Sequence, residues 1–210
     1  VEKFIGVNGS HEGLEQLPDG QFLPAMQMNC VEKDVADRIK KHYNDARHMI
    51  IGRSANLTAP INGRTNCQFR NRCWEGCPFG AYFSTQSSTL PAAMKTGNLT
   101  VRPFSIVTKI LYDNNTQKAT GVEVLDAETN KTYEYHAKVV FVNASALNSA
   151  WVLMNSATDV WPDGLGSSSG ELGHNIMDHH YNLGASGVME GYEDKYYFGR
   201  RPNGIYVVRF

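Results

Sequence analysis

Apolar residues recur every three or four positions between Val31 and Ala46, and charged side chains fill the positions between them. This spacing places one apolar stripe along an amphipathic helix, so a helix is predicted over that segment. A second helical pattern runs from about Ser84 to Lys95, where Pro91 can break or kink it. A third covers Ala144 to Met154. These three segments are the predicted helices.

β-Branched residues dominate most of the chain between residues 99 and 142. Strands are predicted over Leu99–Tyr112, Gly121–Leu125, Thr132–His136 and Val139–Val142, with polar turns at Asp113–Asn115 and Glu128–Asn130. A short buried strand is predicted at Met49–Arg53, and alternating residues at Asn182–Val188 and Ile205–Phe210 predict antiparallel strands of a second unit. The mixture of helices and strands predicts an α/β (α+β) fold.

Small residues link the predicted strand at Val139–Val142 to the third helix. They are Asn143, Ala144, Ser145 and Ala146. Small side chains at a strand-to-helix turn let another group approach the backbone closely, and dinucleotides commonly occupy such turns. An ordinary strand-to-helix corner is the alternative interpretation.

Composition and charge argue against several classes of function. The 210 residues are 41% hydrophobic and 20% charged, with 20 Lys and Arg against 21 Asp and Glu, which is ordinary for a globular protein. The even charge balance predicts no nucleic-acid or anionic-membrane partner. No apolar run approaches the roughly 18 to 20 residues that a membrane span needs.

The two ends of the sequence predict an excised piece of a longer protein. The chain starts at Val1 without an initiator Met, and the alternation at Ile205–Phe210 stops without a turn signal. No targeting segment is evident at the start. The compartment, bacterial cytoplasm or periplasm, is therefore left open.

Three of the four cysteines, Cys67, Cys73 and Cys77, fall within eleven residues, and Pro78 follows the last of them. Thiolates this close on a Gly-containing loop can converge on one iron-sulfur cluster. Zinc is an alternative, because three cysteines with Cys30 or a histidine could form a tetrahedral site. A disulfide or plain reduced thiols are the remaining alternatives.

Aromatic and basic residues surround these cysteines. Trp74 and Phe79 are expected either to shield a cluster from water or to serve as packing anchors. Three arginines, Arg64, Arg70 and Arg72, would offset the negative charge of a cluster or form a solvated basic loop.

Three blocks in fixed order resemble segments of the glucose-methanol-choline (GMC) oxidoreductase family. The first comprises Gly80–Ser84, Leu90–Ala93 and Gly97–Val101; the second Val107–Leu111, Ala119–Val124 and Ala137–Leu147; the third is Leu172–His179. The order and spacing of the blocks carry the resemblance, which covers roughly residues 66–180. The cysteine spacing is similar to that of a subset of this family, bacterial sugar dehydrogenases whose three cysteines hold a cluster that passes electrons from flavin to an outside acceptor.

The resemblance implies part of a doubly wound FAD-binding domain, followed by the start of an antiparallel substrate-domain sheet. On this match Val107 aligns with a residue whose backbone contacts the adenine. Ala144, Ser145 and Ala146 align with the small turn near the dinucleotide, where the family usually has Ala-Gly. The implied organisation is a helical and loop region at 1–98, a flavin-domain segment at 99–180, and the substrate sheet from 181 to 210.

The resemblance also implies a function, an FAD-dependent dehydrogenase acting on the CH-OH group of a sugar or polyol. Its electron acceptor would not be oxygen, and an acceptor protein or small subunit is an expected partner. No G-x-G-x-x-G motif occurs in the chain, so the pyrophosphate-binding turn is expected upstream and the catalytic His downstream. The isolated chain is expected to be inactive. A non-catalytic iron-sulfur or metal-binding electron-transfer module, or an interaction domain that reuses the fold, are the alternatives.

A histidine beside a carboxylate, as in Asp178-His179, can form a catalytic dyad. In the GMC family, however, this pair is structural or lies on the cofactor side. His11, His174 and His180 are expected to be solvated or satisfied by hydrogen bonds. No catalytic residue is therefore assigned within this chain.

Overall fold

The computed structural model describes residues 1–13, 17–181, 183–193 and 204–207. The chain divides into two compact units, one formed by Val1–Thr100 with Ser186–Phe210 and the other by Val101–Ala185. Both units mix helices with strands, and the pairings between the named strands of the described residues are antiparallel. The structure confirms the predicted mixture of helices and strands. The doubly wound arrangement stays a prediction.

The described residues of the first unit contain three helices and a small sheet. Its elements are α1 (Glu2–Ile5), α2 (Cys30–His42), β1 (Met49–Ile51), a 3-10 turn at Cys73–Glu75, α3 (Thr89–Met94) and β5 (Ile205–Val207). Strand β1 pairs with β5 in antiparallel register, with Ile50 opposite Tyr206. The strands predicted around residues 49–53 and 205–210 are thus present, and residues 208–210 lie outside the described residues.

Helix α2 starts at a capping box. The Asn29 side chain accepts a hydrogen bond from the Glu32 amide at 2.8 Å, and the Glu32 carboxylate accepts one from the Asn29 amide at 2.9 Å. This reciprocal pair satisfies two backbone donors that the helix itself leaves free. The helix predicted from Val31 is confirmed, but it ends at His42, because Asn44 and Asp45 adopt positive φ angles.

The core of the first unit surrounds Leu57, which has no solvent exposure. Asn8 is also buried, and its side-chain amide donates to the Asn56 carbonyl at 2.6 Å and to the Ser54 hydroxyl at 3.0 Å. Backbone hydrogen bonds between Asn8 and Ser54 run in both directions. The segment at residues 54–57 is therefore fixed against the start of the chain.

The second unit is built on a three-stranded meander. Strands β2 (Ser105–Asp113), β3 (Lys118–Asp126) and β4 (Thr132–His136) pair in sequence order, and α4 (Ser145–Met154) follows. At the first hairpin the Asp113 carboxylate accepts from the Asn115 amide at 2.9 Å and from the Thr116 hydroxyl at 2.7 Å. Such side-chain to backbone bonds favour a turn at this position. The predicted hairpin and third helix are confirmed.

Three details of the predicted elements were wrong. Residues 139–142 form no strand, since no neighbouring strand within the described residues pairs with them and Val139 and Phe141 are 65% and 81% exposed. Strand β2 begins at Ser105 rather than Leu99. The described residues 183–188 also form no strand, while Asn182 lies outside the described residues.

The second predicted helix is shorter than its pattern indicated. Helix α3 begins at Thr89, so that Pro91 occupies its first turn, where a missing N–H costs no hydrogen bond. The preceding residues form a turn in which the hydroxyl of Ser84 accepts from the Ser87 amide at 3.1 Å. Serine side chains that bond to nearby backbone compete with helix formation, which explains the late start.

We predict that Ser156→Ala lowers the free energy of unfolding by about 1–3 kcal/mol. The buried Ser156 hydroxyl accepts from the Ile110 amide at 2.8 Å and donates to the Val152 carbonyl at 2.6 Å, so its loss leaves the Ile110 N–H unsatisfied. Urea denaturation measures the change. Ser169→Ala, at an exposed serine of the same unit, is the matched control and should change the free energy by less than about 0.5 kcal/mol. Equal effects at the two serines would contradict the prediction.

Candidate functional site

The three clustered cysteines line one cavity in the first unit. The lining also includes Asn56, Phe69, Arg70, Arg72, Phe79 and Tyr82. Cys67, Cys73 and Cys77 are each half-buried, whereas Cys30 is exposed at the start of α2 and does not line this cavity. The loop therefore brings together the three thiols that are close in sequence and leaves the fourth outside.

Backbone amides approach two of the sulfur atoms. Cys67 Sγ accepts a hydrogen bond from the Phe69 amide at 3.3 Å. Burial by itself would raise the pKa of Cys77, but hydrogen bonds from the backbone of Tyr82, Phe79, Ala81 and Gly80 together hold that pKa below its ordinary value. Hydrogen bonds to the charged form favour it, so the fold stabilises a thiolate at Cys77.

The other two thiols lie in a less favourable environment for negative charge. Burial raises the pKa of Cys67, and the neighbouring Cys73 and Cys77 raise it further, although the Phe69 amide opposes them. Burial and the charge of Cys77 likewise raise the pKa of Cys73. The three sulfurs are thus close enough to interact, and negative charge on all three requires compensation by a cation.

All four cysteines are free thiols in the structure, so the disulfide alternative is not formed. Within the described part of the chain, no three side chains among His, Cys, Asp and Glu are grouped as for one metal ion. This finding supports neither the zinc alternative nor the predicted iron-sulfur cluster at Cys67, Cys73 and Cys77.

Arg64 is buried, with 5% exposure, and carries its charge next to this site. Its Nε donates to the Gly80 carbonyl at 2.7 Å, and Nη1 donates to the Ile5 carbonyl at 2.9 Å and the Ser88 hydroxyl at 3.2 Å. Burial lowers the pKa of Arg64, whereas the charge of Cys77 raises it. This placement agrees with the expectation that Arg64 offsets negative charge at the cysteines.

The remaining aromatic and basic residues of the loop take different positions. Trp74 is 74% exposed, so the expectation that it shields the cysteines from water was wrong. Phe79 lines the cavity, and the Arg70 guanidinium lies 5.6 Å from the centre of its ring. Arg72 forms a long ion pair of 3.9 Å with Glu75 at the surface. Phe69, which the sequence pattern did not single out, contributes both its ring and its amide to the site.

The four residues predicted to contact flavin lie in the second unit. Val107 is half-buried in β2, next to a register shift between Val107 and Lys109. Ala144, Ser145 and Ala146 are exposed where α4 begins, and no bulky neighbour buries them. This corner meets the requirement for small, accessible side chains. Their contacts with a flavin stay a prediction.

Ser145 has a φ angle of 67°, in the left-handed region that favours glycine. The resemblance described above indicated that the family usually has glycine at this position. The backbone conformation gives a physical reason for that preference. Serine adopts the same turn here at a conformational cost of about 1–2 kcal/mol.

The four histidines considered in the sequence form no buried pair with a carboxylate. The Asp178 carboxylate accepts a hydrogen bond from the backbone amide of His179 at 2.7 Å, and both residues are exposed. His11 Nδ1 lies 3.0 Å from Asp19 Oδ1, again at the surface. His174 and His180 are exposed as well. No histidine lines the cysteine cavity.

A family model described as GMC oxidoreductase matches residues 9–181. The chain is similar to a 2-methyl-1,2-propanediol dehydrogenase of Mycolicibacterium austroafricanum, at 33% identity over 67% of this chain and 26% of that protein. It is also similar to the fructose dehydrogenase large subunit of Gluconobacter japonicus, at 28% identity over 60% of this chain and 22% of that protein. The chain thus spans about a quarter of the length of these relatives. None of the helices in the described residues has the length and apolar character needed to cross a bilayer.

We predict that Ser145→Gly raises the free energy of unfolding by about 0.5–1 kcal/mol, because glycine adopts the left-handed conformation without strain. Thermal or urea denaturation measures the change. The matched control is Ala150→Gly within the same helix, which should lower stability by about 1 kcal/mol. A loss of stability at both positions would contradict the backbone explanation.

We predict that Arg64→Lys lowers the free energy of unfolding of the first unit by about 1–3 kcal/mol, since a lysine ammonium cannot reproduce the three guanidinium hydrogen bonds. Arg72→Lys, at the exposed ion pair with Glu75, should change it by less than about 0.5 kcal/mol. Urea denaturation followed by circular dichroism tests both. An unchanged free energy of unfolding in Arg64→Lys would show that the buried guanidinium is not required.

Proposed function

Because the chain belongs to the GMC oxidoreductase family, we propose that it is part of an FAD-dependent dehydrogenase that oxidises the CH-OH group of a sugar or polyol. The electron acceptor in this proposal is not oxygen. The observation that carries the proposal is the family match over residues 9–181, together with two relatives that are dehydrogenases.

The names of the relatives support the substrate and partner classes. One relative is named for a diol and the other for the sugar fructose. Both substrates carry several CH-OH groups, so a polyhydroxylated small molecule is the proposed substrate class for this protein too. The second relative is a large subunit, which supports a further subunit or an acceptor protein as the partner.

Flavin, when bound, would accept a hydride from the substrate carbon. In this proposal the exposed small residues Ala144, Ser145 and Ala146 would leave space for the nucleotide at the start of α4, and the backbone of Val107 would contact the adenine. The chain contains no G-x-G-x-x-G turn and no buried imidazole in its described residues. We therefore expect the isolated 210 residues to bind flavin weakly and to be inactive.

The cysteine cavity is proposed to hold an iron-sulfur cluster through Cys67, Cys73 and Cys77. Three properties of the site support this proposal: the three thiols line one cavity, backbone amides lower the pKa of Cys77 and bond to Cys67, and the charge of Cys77 acts on the buried Arg64 guanidinium. Amide donors and a nearby cation both stabilise negatively charged sulfur. In this role the cluster would relay electrons from flavin to the outside acceptor.

A second candidate function is a non-catalytic electron-transfer or metal-binding module. It is favoured by the same cysteine cavity, which lies entirely within the first unit. The two candidates differ in what the complete protein binds. Only the dehydrogenase predicts a yellow protein whose flavin spectrum bleaches when a sugar or polyol is added under anaerobic conditions.

We predict that serine variants of Cys67, Cys73 and Cys77 in the complete protein lose iron and the visible absorption of a cluster, because each removes one thiolate ligand. Iron and acid-labile sulfide are quantified after anaerobic purification. Cys30→Ser is the matched control and should retain both, since Cys30 does not line the cavity.

Two results would overturn parts of this proposal. Complete protein that binds flavin and reduces a dye with sugar, yet contains no iron, would remove the cluster and leave the dehydrogenase. Complete protein that contains iron but neither binds flavin nor oxidises any polyol would favour the electron-transfer module instead.

A further inference from the structure

Residues 139–142 of the second unit, with the sequence Val-Val-Phe-Val, have no partner for their backbone. None of their amide or carbonyl groups takes part in a backbone hydrogen bond within the part of the chain that the structure describes. Val139 and Phe141 are exposed, whereas Val140 and Val142 are half-buried. Successive side chains of a strand point to opposite faces, so this alternation is typical of a strand. The segment has the side-chain pattern of a strand and lacks a neighbour.

Helix α4, which follows this segment, is apolar on two sides and contains no charged residue. On one side the helix contacts β2, and Val152 is buried. Leu147, Trp151 and Met154 are spaced four and three positions apart, so they share another side, and all three are exposed. A helix that is apolar all round is normally buried in a larger core. More polypeptide is therefore expected to cover α4.

The order of these two elements indicates what pairs with residues 139–142. A continuous apolar run is typical of a strand that is buried on both faces, as in parallel sheets covered by helices. A strand followed directly by a helix is the first part of a β-α-β unit, whose second strand runs parallel to the first. No strand of the second unit follows α4 within the described residues. The parallel neighbour therefore has to come from another part of the protein.

The length of the relatives shows where that neighbour can come from. The chain covers 26% of the diol dehydrogenase and 22% of the fructose dehydrogenase subunit, so about three quarters of each relative has no counterpart here. A polypeptide of that length has room for further strands. The rest of the same protein is thus the occupant that the open segment fits.

We propose that residues 139–142 are a docking edge for a strand of the remaining polypeptide, which pairs with them in parallel. The chain next to that strand covers the exposed side of α4. This inference rests on family membership and on the open backbone, and it does not depend on the proposed substrate, flavin or cluster.

Hydrogen exchange of the complete protein tests the pairing, with single residues resolved by electron-transfer fragmentation. A strand uses alternate amides on each edge, so every second amide of residues 139–142 should be protected. We expect these amides to exchange at least about 100-fold more slowly than in a synthetic peptide of residues 137–144, as those in the interior of β3 do. Exchange of all four amides at the rate of the peptide would overturn the proposal.

A photo-cross-linking variant identifies the occupant. Phe141→p-benzoylphenylalanine keeps an aromatic ring at this exposed position, and irradiation of the complete protein links the ring to the nearest chain. We expect a link within one molecule, to a peptide that lies outside these 210 residues. The same substitution at Glu128, in an exposed turn of the same unit, is the matched control and should not give this product.

The other results of the cross-linking experiment contradict the proposal. A cross-linked dimer would assign residues 139–142 to an interface between two copies. A link only to residues within the 210 would show that this chain covers the segment by itself. Because hydrogen exchange is measured on the wild type, the pairing is tested even if the Phe141 variant does not fold.

Discussion

The hydrogen bonding of residues 54–57 holds the cysteine loop in place, and the geometry of the first unit depends on it. On one side the Asn8 side chain binds the Asn56 carbonyl. On the other, the Leu57 amide donates to the Ala81 carbonyl at 3.0 Å, and the Phe83 amide donates to the Ala55 carbonyl at 2.8 Å. The Leu57 carbonyl accepts from the Cys67 amide at 2.9 Å. One short segment thus fixes both the first cysteine and the chain just beyond the third.

This arrangement explains why a loop with little regular structure can form a defined site. Between Cys67 and Tyr82 the only regular element is one 3-10 turn, Cys73–Glu75. Backbone groups that are not used in helices or strands are available as donors, and several of them face the sulfur of Cys77. In a fully helical segment, most of those amides would donate hydrogen bonds within the helix itself.

The sequence predicted the elements whose patterns are local. Helix α2, the hairpin at Asp113 and strand β4 each follow from spacing or turn chemistry within a few residues. Residues 139–142 have an equally good strand composition, but a strand also needs a paired neighbour, which composition does not encode. The close spacing of the cysteines likewise predicted that they would share a site.

The polar residues around the cysteines were harder to predict, because their burial depends on distant contacts. Asn56 lies eleven positions before Cys67, and its backbone is held by Asn8, 48 residues away in sequence. An isolated asparagine in a polar stretch gives no signal of this kind. Arg64 was singled out for its charge, yet its burial depends on contacts with Ile5 and Ser88 that no local pattern reveals.

Two glycines in the loop have different physical roles. Gly76 has a φ angle of 99°, and a Cβ atom there would meet nothing within 4 Å, so the requirement is conformational. Gly80 has a φ angle of 66°, and its Cβ would lie 3.1 Å from the Arg64 side chain, so both conformation and space favour glycine. The Gly80 carbonyl accepts from Arg64, while its amide donates to the Cys77 carbonyl at 3.1 Å. A single residue without a side chain thus links the buried cation to the backbone of the third cysteine, and a larger residue there would disturb both contacts.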